Sequence, residues 1–533
     1  MQQKALGKSG FDVVVVGAGN AALTSAIAAR QAGARVAVLE SATKAMRGGN
    51  TRFAGGLFRF TYHNVDEVAR VLGKHDDPST VEFDPYTAED YLKDMNRVTR
   101  GRYDPELVSV LIKESYPTVC WMADLGVPFN LYRLPNLRIA GTDKHKLQFG
   151  AGFEVKGRGR HLSDRLFELA EKFDIPVFYE TQGVGLLQDA KGRIAGVHAR
   201  SAEGDIQIRA KAVILGCGGF QSSPEMRTAY LGPDWSMVKV RGTRFNTGVM
   251  TRAAIGLGAQ AVGQWSGAHA TPLDNDAGDY GRLEATDETS RVSYPYGLMV
   301  NQDGKRFCDE GEDFKLYTYA KTGAKILGQK FGVIFQIFDQ KTVPLLEKRY
   351  ATGRPETADT LEELADRIAL RSGDMGFNKG EFLKTVEDYN AAVAEGEFHA
   401  MTKDGKHTSG LPVNKTNWAQ RIDQPPYVAY PVTTGITFTF GGLRINTDAQ
   451  VVDLLERPIP GLYGTGEITG GFFYYNYPGG AGLMRGAVFG RRAGGNAATY
   501  AANGGSRSRA KSARKSTRKR VSKSVRKSVR GKR

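Results

Sequence analysis

One stretch constrains the fold of this chain more than any other: FDVVVVGAGNAALTSAIAARQAGARVAVLE, residues 11–40. Its VVVV run at 13–16 is typical of a strand buried on both faces of a parallel sheet. The turn GAGNAA at 17–22 has the spacing G-x-G-x-x-A, and Glu40 ends a second strand 23 residues after Gly17. This spacing directs helix N-terminal amides at a pyrophosphate and brings an acid to a ribose hydroxyl. We therefore predict a dinucleotide site here, rather than a glycine turn without a ligand.

The rest of the chain alternates helix and strand patterns, as expected of an α/β protein. Hydrophobic periodicity predicts helices at 104–125, 157–173, 360–371, 381–395 and 480–502. Short apolar runs predict strands at 176–178, 184–187, 194–199, 205–209, 211–220 and 460–466, with 194–199 and 205–209 as a hairpin. The strand-and-glycine pattern returns near residue 460, after a segment of mixed character. The simplest organisation is a Rossmann-like domain at 1–265 and 432–503, an inserted α+β domain at 266–431, and a tail at 504–533.

The positive charge of the chain is concentrated in that tail. The formal net charge is +16, yet residues 506–533 hold 14 Lys and Arg and no acid, so the body carries 59 basic and 57 acidic residues. The tail is low in complexity and lacks large apolar groups, so we expect it to be disordered. It is either a dispensable segment that binds polyanions without sequence preference, or a solvated extension.

Cysteine and hydropathy patterns exclude several classes of protein. Cys120, Cys217 and Cys308 lie far apart and form no C-x-x-C, which excludes a disulfide framework, a cysteine-ligated iron–sulfur cluster and a C-x-x-C-H haem site. No run approaches 18 apolar residues, and the apolar segment 11–29 lacks the pattern of a cleaved signal peptide. We expect a cytoplasmic enzyme without a metal, at most peripheral at the inner membrane through a partner.

Four motifs in one order resemble a known family. Besides GAGNAA with Glu40, they are GGNTRFAGG at 48–56, AVILGCGGF at 212–220 and GLYGTGEITGG at 461–471. Together they resemble the fumarate reductase/succinate dehydrogenase flavoprotein family over about residues 10–500. The resemblance implies FAD as cofactor, a capping domain inserted into the FAD domain, and hydride transfer between flavin and a carbon–carbon bond. No His precedes Thr51 where the family can attach flavin covalently, so non-covalent FAD is expected.

Two acids and several glycine-rich turns are the expected FAD contacts. The helix that follows Gly480 is expected to direct its N-terminal amides at the flavin pyrimidine, where they would stabilise negative charge on reduction. The predicted cofactor-binding residues are Gly17, Gly19, Asn20, Ala21, Glu40, Gly49, Asn50, Thr51, Gly55, Gly56, Gly218, Glu467, Gly479, Gly480, Gly482 and Leu483.

The substrate-binding pattern departs from that of fumarate reductases. Those enzymes carry H-P-T where this chain has HAT at 269–271, so the resemblance implies that His269 contacts substrate. Their proton-donating Arg aligns with Phe314, and their other His and Arg fall on TFTFGG at 437–442 and NYPGG at 476–480, which contain neither. These replacements argue against simple fumarate reduction.

Other segments are similar to the tricarballylate dehydrogenase branch of the family, namely RGTRFNTG at 241–248, SGAHA at 266–270, FTFGGLRIN at 438–446 and NYPGGAGL at 476–483. Those enzymes desaturate tricarballylate to cis-aconitate and pass electrons through a partner membrane protein to quinone. The similarity implies a small polycarboxylate substrate and such a redox partner. Arginines are the natural clamps for carboxylates, and a tyrosine can donate to them or accept a proton. The candidate catalytic residues are His269, Tyr477, Arg241, Arg244 and Arg306.

Two competing functions remain open. The Y-P-G element at 477–479 also resembles 3-ketosteroid dehydrogenases, in which a Tyr and a Gly amide bind the substrate carbonyl; that function predicts an apolar pocket with few arginines. A nucleic-acid-binding factor would depend on the tail alone and would contain no flavin. Tyr294, Tyr296 and Tyr317 are weaker candidates, since core or cap packing explains each of them.

Overall fold

The protein is described here by a computed structural model, which covers residues 10–134, 137–147, 150 and 152–504. The prediction of disorder at 505–533 lies outside the described residues. The α-helices within these ranges are α1 (Asn20–Gln31), α2 (Val65–Leu72), α3 (Ala88–Thr99), α4 (Pro105–Asp124), α5 (Arg158–Lys172), α6 (Pro224–Leu231), α7 (Val249–Gly256), α8 (Lys315–Leu327), α9 (Leu361–Ser372), α10 (Lys379–Ala392) and α11 (Ala481–Ala502).

The strands in the same ranges are short, apart from those that build the two main sheets. They are β1 (Phe11–Val16), β2 (Val36–Leu39), β3 (Leu57–Phe58), β4 (Val81–Glu82), β5 (Phe129–Leu131), β6 (His145–Lys146), β7 (Phe153–Val155), β8 (Val177–Phe178), β9 (Gln182–Gln188), β10 (Ile194–Ser201), β11 (Gly204–Leu215), β12 (Lys239–Val240), β13 (Ala261–Val262), β14 (Ala268–Asp274), β15 (Leu298–Asn301), β16 (Val333–Phe338), β17 (Glu356–Ala358), β18 (Tyr427–Thr439), β19 (Gly442–Leu443), β20 (Gln450–Val452) and β21 (Pro458–Gly464).

The largest sheet is the dinucleotide-binding layer. Its strands run β20-β21-β11-β1-β2-β8, and all neighbours are parallel except β20 and β21. The VVVV run of β1 is fully buried, as predicted for a central parallel strand. In register, Val13 lies opposite Ala212 on β11 and Val36 on β2. The glycine turns after β1 and β11 therefore meet at one edge, where ligands bind in sheets of this kind.

One sequence prediction about this region is wrong. The runs 205–209 and 211–220 were expected to form separate strands, but β11 is one strand from Gly204 to Leu215. No glycine or proline stands between Arg209 and Lys211 to break the ladder. Its first half pairs with β10 in the predicted hairpin, and its second half joins β1 in the large sheet.

A second sheet forms the core of the inserted domain. β18 lies next to β12, β14, β16 and β17, and β15 pairs with β16 at the edge. β18 runs continuously to Thr439, and β12 precedes residue 266, so the sheet extends past both ends of the predicted insertion. The helices α9 and α10 cover one apolar cluster of this domain, which includes Leu364 and Phe382. The domain boundaries themselves stay a prediction.

Helix α11 returns the chain to the large sheet through an unusually close approach to α1. Gly486, Gly490 and Gly494 are spaced four residues apart, so they share one face of α11. A Cβ at Gly490 would lie 2.7 Å from the Ala21 carbonyl oxygen, and one at Gly494 would lie 2.2 Å from the Ser25 carbonyl oxygen. Only glycine permits this packing, which brings the N-terminus of α11 beside that of α1.

Membrane insertion by a helix finds no support in the described part of the chain, where every helix is too short or too polar to cross a bilayer.

Candidate active site

A deep cleft lies between the large sheet and the inserted domain. Its lining runs from Gly17 and Glu40 to His269 and Tyr477, so it joins the predicted dinucleotide site to the predicted catalytic residues. The predicted FAD contacts that line it are Gly17, Gly19, Asn20, Ala21, Glu40, Gly49, Asn50, Thr51, Gly55, Gly56, Gly218, Glu467, Gly480, Gly482 and Leu483. Gly479 does not line it; its carbonyl instead accepts a hydrogen bond from Arg59 Nε at 2.8 Å.

Bare backbone forms one end of the cleft. A Cβ on Gly17 would lie 2.6 Å from the carbonyl oxygen of Gly216, so the two turns pack directly on each other. Helix α1 begins at Asn20, and no side chain caps its first turn from Gly19. The Asn20 N–H donates to Thr51 Oγ1 at 2.7 Å, which ties the GGNTR turn to this helix. An uncapped helix N-terminus beside glycine turns fits the pyrophosphate of FAD.

Two carboxyl groups with raised pKa values face the cleft. Glu40 Oε1 accepts the Ala42 N–H at 2.9 Å, and burial raises the Glu40 pKa to about 7. Glu467 Oε1 accepts the Thr439 N–H at 2.9 Å, and burial likewise raises the Glu467 pKa to about 7. Hydroxyl donors from a ligand would favour the charged form of either acid. A ribose or ribityl chain supplies such donors, so both acids fit FAD.

The start of α11 closes the opposite side of the cleft. Gly480 has φ +85°, and a Cβ there would lie 3.0 Å from the Arg59 amide nitrogen. No side chain caps the first turn of α11, whose Gly482 and Leu483 line the cleft. The Asn20 side chain donates to the Leu483 carbonyl at 2.9 Å and so joins the two helix starts. The α11 amides are thus available to negative charge on a ligand.

A cluster of rings stands at the cleft end nearest the inserted domain. The hydroxyl groups of Tyr319 on α8 and Tyr477 are in direct hydrogen-bonding contact. His269 packs edge-on against both rings, at centroid distances of 4.9 Å and 5.1 Å, and stacks on Phe438 at 5.1 Å. Its Nδ1 is buried without a hydrogen-bond partner in the described chain. Burial, reinforced by nearby Arg241, holds the His269 pKa well below its usual range, so the imidazole is neutral.

Both phenols keep their protons at neutral pH. Burial raises the Tyr319 pKa well above its ordinary value, and the neighbouring Tyr477 adds to that rise. Burial also raises the Tyr477 pKa. The pair can therefore donate a proton or a hydrogen bond to a ligand.

Of the three arginines predicted from sequence, Arg241 is the one that lies at this cluster. Its Nε donates to Ser290 Oγ at 2.8 Å and its Nη1 to Thr437 Oγ1 at 3.3 Å, both neutral partners. It lines the cleft with His269, Tyr319 and Tyr477. Its guanidinium is therefore placed to receive an oxygen of a bound molecule.

The other two arginines lie elsewhere. Arg306 is buried inside the inserted domain, where its Nη2 contacts Glu310 Oε2 at 2.5 Å and its Nη1 donates to the Val413 carbonyl at 2.7 Å. Arg244 is exposed, with its guanidinium 5.3 Å from the Tyr280 ring centroid. Neither lines the cleft, because Arg306 is held by a local acid and Arg244 projects outward. We therefore leave both out of the proposed site.

A buried polar hub connects the two elements that carry the phenols. Arg59 Nη1 donates to Asp94 Oδ2 and to Tyr86 Oη, each at 2.6 Å, while its Nε holds the Gly479 carbonyl. The Tyr317 hydroxyl, two residues before Tyr319, donates to the same Asp94 oxygen at 3.1 Å. The hub therefore fixes the 476–480 turn against α8, which sets the approach of Tyr477 to Tyr319.

Tyr319 and Arg485 are among the cleft residues that sequence reasoning missed. The helix α8 was not predicted, so nothing indicated that Tyr319 shares a face with the cleft. Arg485 did carry a signal, since it stands one helical turn after Gly482 in a segment otherwise made of small and apolar residues.

Comparisons with known proteins agree with this architecture. Residues 12–483 match the model of the FAD binding domain family. A probable fumarate reductase, Ifc3, of Shewanella frigidimarina (strain NCIMB 400) is 30% identical over 501 residues, which is 92% of this chain and 75% of that protein.

Two solved structures are similar over nearly the whole chain. The open conformation of a flavocytochrome c3 fumarate reductase superposes with a TM-score of 0.68 and 28% identity, covering 94% of this chain and 80% of that one. A 3-ketosteroid-Δ4-(5α)-dehydrogenase from Rhodococcus jostii, in complex with 4-androstene-3,17-dione, superposes with a TM-score of 0.65 and 25% identity. The match covers 92% of this chain and 97% of that one. These relatives and the FAD-fitting cleft lead to one conclusion: the chain belongs to the FAD-dependent flavoprotein family of the fumarate reductases and succinate dehydrogenases, and is an oxidoreductase acting on carbon–carbon bonds.

Proposed function

We propose that this enzyme transfers a hydride and a proton to or from a carbon–carbon bond adjacent to a carbonyl group, on a substrate of low charge. The observation that carries the proposal is the Tyr319–Tyr477 hydroxyl contact at the cleft end where His269 and Phe438 supply rings instead of cations. FAD, when bound, supplies the two-electron acceptor or donor for such a bond. The residues of the chain must then bind the carbonyl and handle the proton.

The phenol pair is suited to the proton. Reduction of a carbon–carbon double bond needs a proton donor beside the carbon that does not receive hydride, and oxidation needs an acceptor at the same place. We assign the role of proton donor to Tyr319, which lies on α8. Tyr477 hydrogen-bonds it and is anchored by the following turn, so we assign Tyr477 the carbonyl oxygen, where it would stabilise enolate charge.

Electrostatics argue against a highly charged substrate. A tricarboxylate brings about three negative charges, and each one needs a cationic or multiple hydrogen-bond partner when it leaves water. Two guanidinium groups, Arg241 and Arg485, line this end of the cleft in the described chain, and the His269 imidazole is neutral. One guanidinium can receive one carboxylate or a polarised carbonyl.

Desaturation of tricarballylate is the second candidate. Arg241 favours it, since this guanidinium has neutral partners and is free to form a bidentate pair with a carboxylate. The resemblance of RGTRFNTG and NYPGGAGL to that branch of the family supports it as well. Under this alternative, Tyr477 donates to a second carboxylate.

The electron route is also a proposal. We propose that FAD is held non-covalently, and that electrons pass to or from a separate redox partner at the membrane. One similar fumarate reductase of known structure is a flavocytochrome, whereas the given sequence has three separated cysteines and no C-x-x-C-H.

Substrate-dependent bleaching of the flavin tests the proposal. A 3-ketosteroid, tricarballylate and succinate are added separately and anaerobically to the oxidised holoenzyme, and the flavin absorbance is followed. In parallel, the photoreduced enzyme is mixed with a conjugated ketosteroid and with fumarate. We expect the 3-ketosteroid to bleach the oxidised flavin and the conjugated ketosteroid to reoxidise the reduced flavin. We expect no response to tricarballylate, succinate or fumarate. A response to tricarballylate alone would establish the second candidate and overturn the first.

A further inference from the structure

Arg485 is a buried cation that no carboxylate of the described protein contacts directly. Its side chain is 3% exposed, its Nε has no hydrogen-bond partner, and its Nη1 reaches only the Thr469 carbonyl at 3.4 Å. It forms no salt bridge with a carboxylate in the described ranges, although the nearby Glu467 carboxyl acts on its charge. Burial lowers the Arg485 pKa to about 10, which still leaves it charged at neutral pH. A buried charge without a hydrogen-bonded partner is costly. We therefore expect a ligand to supply the negative group that this guanidinium lacks.

Rings surround this guanidinium on its protein side. Its Cζ lies 5.0 Å from the Phe473 centroid, 5.4 Å from that of Phe472 and 5.9 Å from that of Phe438. Aromatic faces offer a weak attraction to a cation and exclude water from it. With water excluded, the charge acts strongly on whatever occupies the cleft beside it.

The position of Arg485 along the cleft identifies which part of FAD it faces. Phe438, one of its ring neighbours, stacks on His269 and lies 5.1 Å from the Tyr477 ring. This is the reacting end of the cleft. The pyrophosphate is expected beside the start of α1, where Asn20 contacts Thr51. Asn20 also holds the Leu483 carbonyl, so it is the guanidinium of Arg485, near Phe438, and not its backbone that lies toward the reacting end.

We infer that Arg485 is the group that stabilises the negative charge of the reduced flavin ring and thereby raises the reduction potential of the cofactor. The proposed action of Arg485 is on the cofactor rather than on the substrate, so the inference depends on FAD and not on the proposed substrate class. A fixed cation near a redox ring favours its electron-rich state, and it acts together with the uncapped amides at the start of α11. The nearby carboxyl of Glu467, when ionised, offsets part of the positive charge of Arg485.

Redox titration of holoenzyme variants tests the inference. Arg485→Gln removes the charge, Arg485→Lys keeps it, and Arg491→Gln removes a guanidinium from the same helix that contacts the Pro117 carbonyl away from the cleft. We expect Arg485→Gln to make flavin reduction about tenfold less favourable, which is about 30 mV for a two-electron couple. Arg485→Lys and Arg491→Gln are expected to stay within about threefold of the parent.

Two further measurements cover a variant that holds FAD weakly. Sulfite, which forms an anionic adduct with oxidised flavin, is titrated into each holoenzyme, and its dissociation constant is expected to rise about tenfold in Arg485→Gln only. FAD and reduced FAD are also titrated into the apoproteins. By linkage, a charge that acts on the reduced ring must weaken reduced FAD more than FAD. Equal weakening of both forms, an unchanged potential in Arg485→Gln, or an equal shift in Arg485→Lys would overturn the inference.

Discussion

Replacing Tyr319 by Phe separates proton handling from packing at the reacting end of the cleft. The substitution removes one hydroxyl, the one that contacts Tyr477, and leaves the ring that packs edge-on at 4.9 Å from His269. Because the ring stays, the cost to folding is that of one buried hydrogen bond, about 0.5–1.5 kcal/mol. The loss of a positioned acid or base slows the chemical step by about 10²–10⁴-fold, or about 2.7–5.4 kcal/mol in the activation free energy.

The matched control for this substitution is Tyr294→Phe. The Tyr294 hydroxyl is also hydrogen-bonded inside the protein, to Thr318 Oγ1 at 2.5 Å, but it does not line the cleft. Both variants are expected to lose a similar amount of free energy of unfolding in a urea titration, while only Tyr319→Phe loses rate. The assay is anaerobic stopped-flow reduction or reoxidation of the flavin at saturating substrate. A Tyr319→Phe enzyme that bleaches within threefold of the parent rate would refute the assignment of the proton to this phenol.

Three other predictions concern packing, pH and the tail. Gly494→Ala is expected to destabilise the protein by about 1–3 kcal/mol through overpacking against the Ser25 carbonyl, with Gly495→Ala, which has open space around its Cα, as the control in thermal melts. Glu40 and Glu467 have pKa values raised to about 7, so the stability that each contributes to the apoprotein is fully present below the unfolded pKa and lost as pH rises through 7. The melting temperature of apoprotein should therefore fall from pH 5 to 8, and Gln variants should flatten that fall; an equal fall in the variants would contradict the assignment. Truncation after Gly504 is expected to leave FAD content and turnover unchanged, and loss of either would show that the tail belongs to the enzyme.

Local signals made part of this fold predictable. The buried valine run, the glycine turn and Glu40 lie within 30 residues of one another. Each belongs to a local backbone conformation that the sequence pattern predicts. The caps did the same for helices, since Asp104 caps α4 and Thr360 caps α9 at the predicted starts. Fifteen of the sixteen predicted FAD contacts line one cleft for this reason.

The substrate end was harder to predict because distant segments build it. Tyr319 reaches Tyr477 only because α8 packs against β14 and the Arg59–Asp94 hub fixes the turn. Neither contact leaves a local pattern in the chain. Arg306 shows the opposite error: it lies beside a family motif, but Glu310 four residues later holds it inside the inserted domain.

The packing of α11 on α1 also has a consequence for biosynthesis. The ribosome completes the first strand and turn of the nucleotide fold early, yet the wall that carries Gly482 and Leu483 is synthesised more than 450 residues later. The inserted domain must emerge before that wall does, and domains generally fold as units during synthesis. Nascent chains that lack the last helix are therefore expected to have no competent FAD site. FAD binding is therefore expected late in the biosynthesis of each molecule, after the N-terminal and C-terminal parts of the FAD-binding domain have packed together.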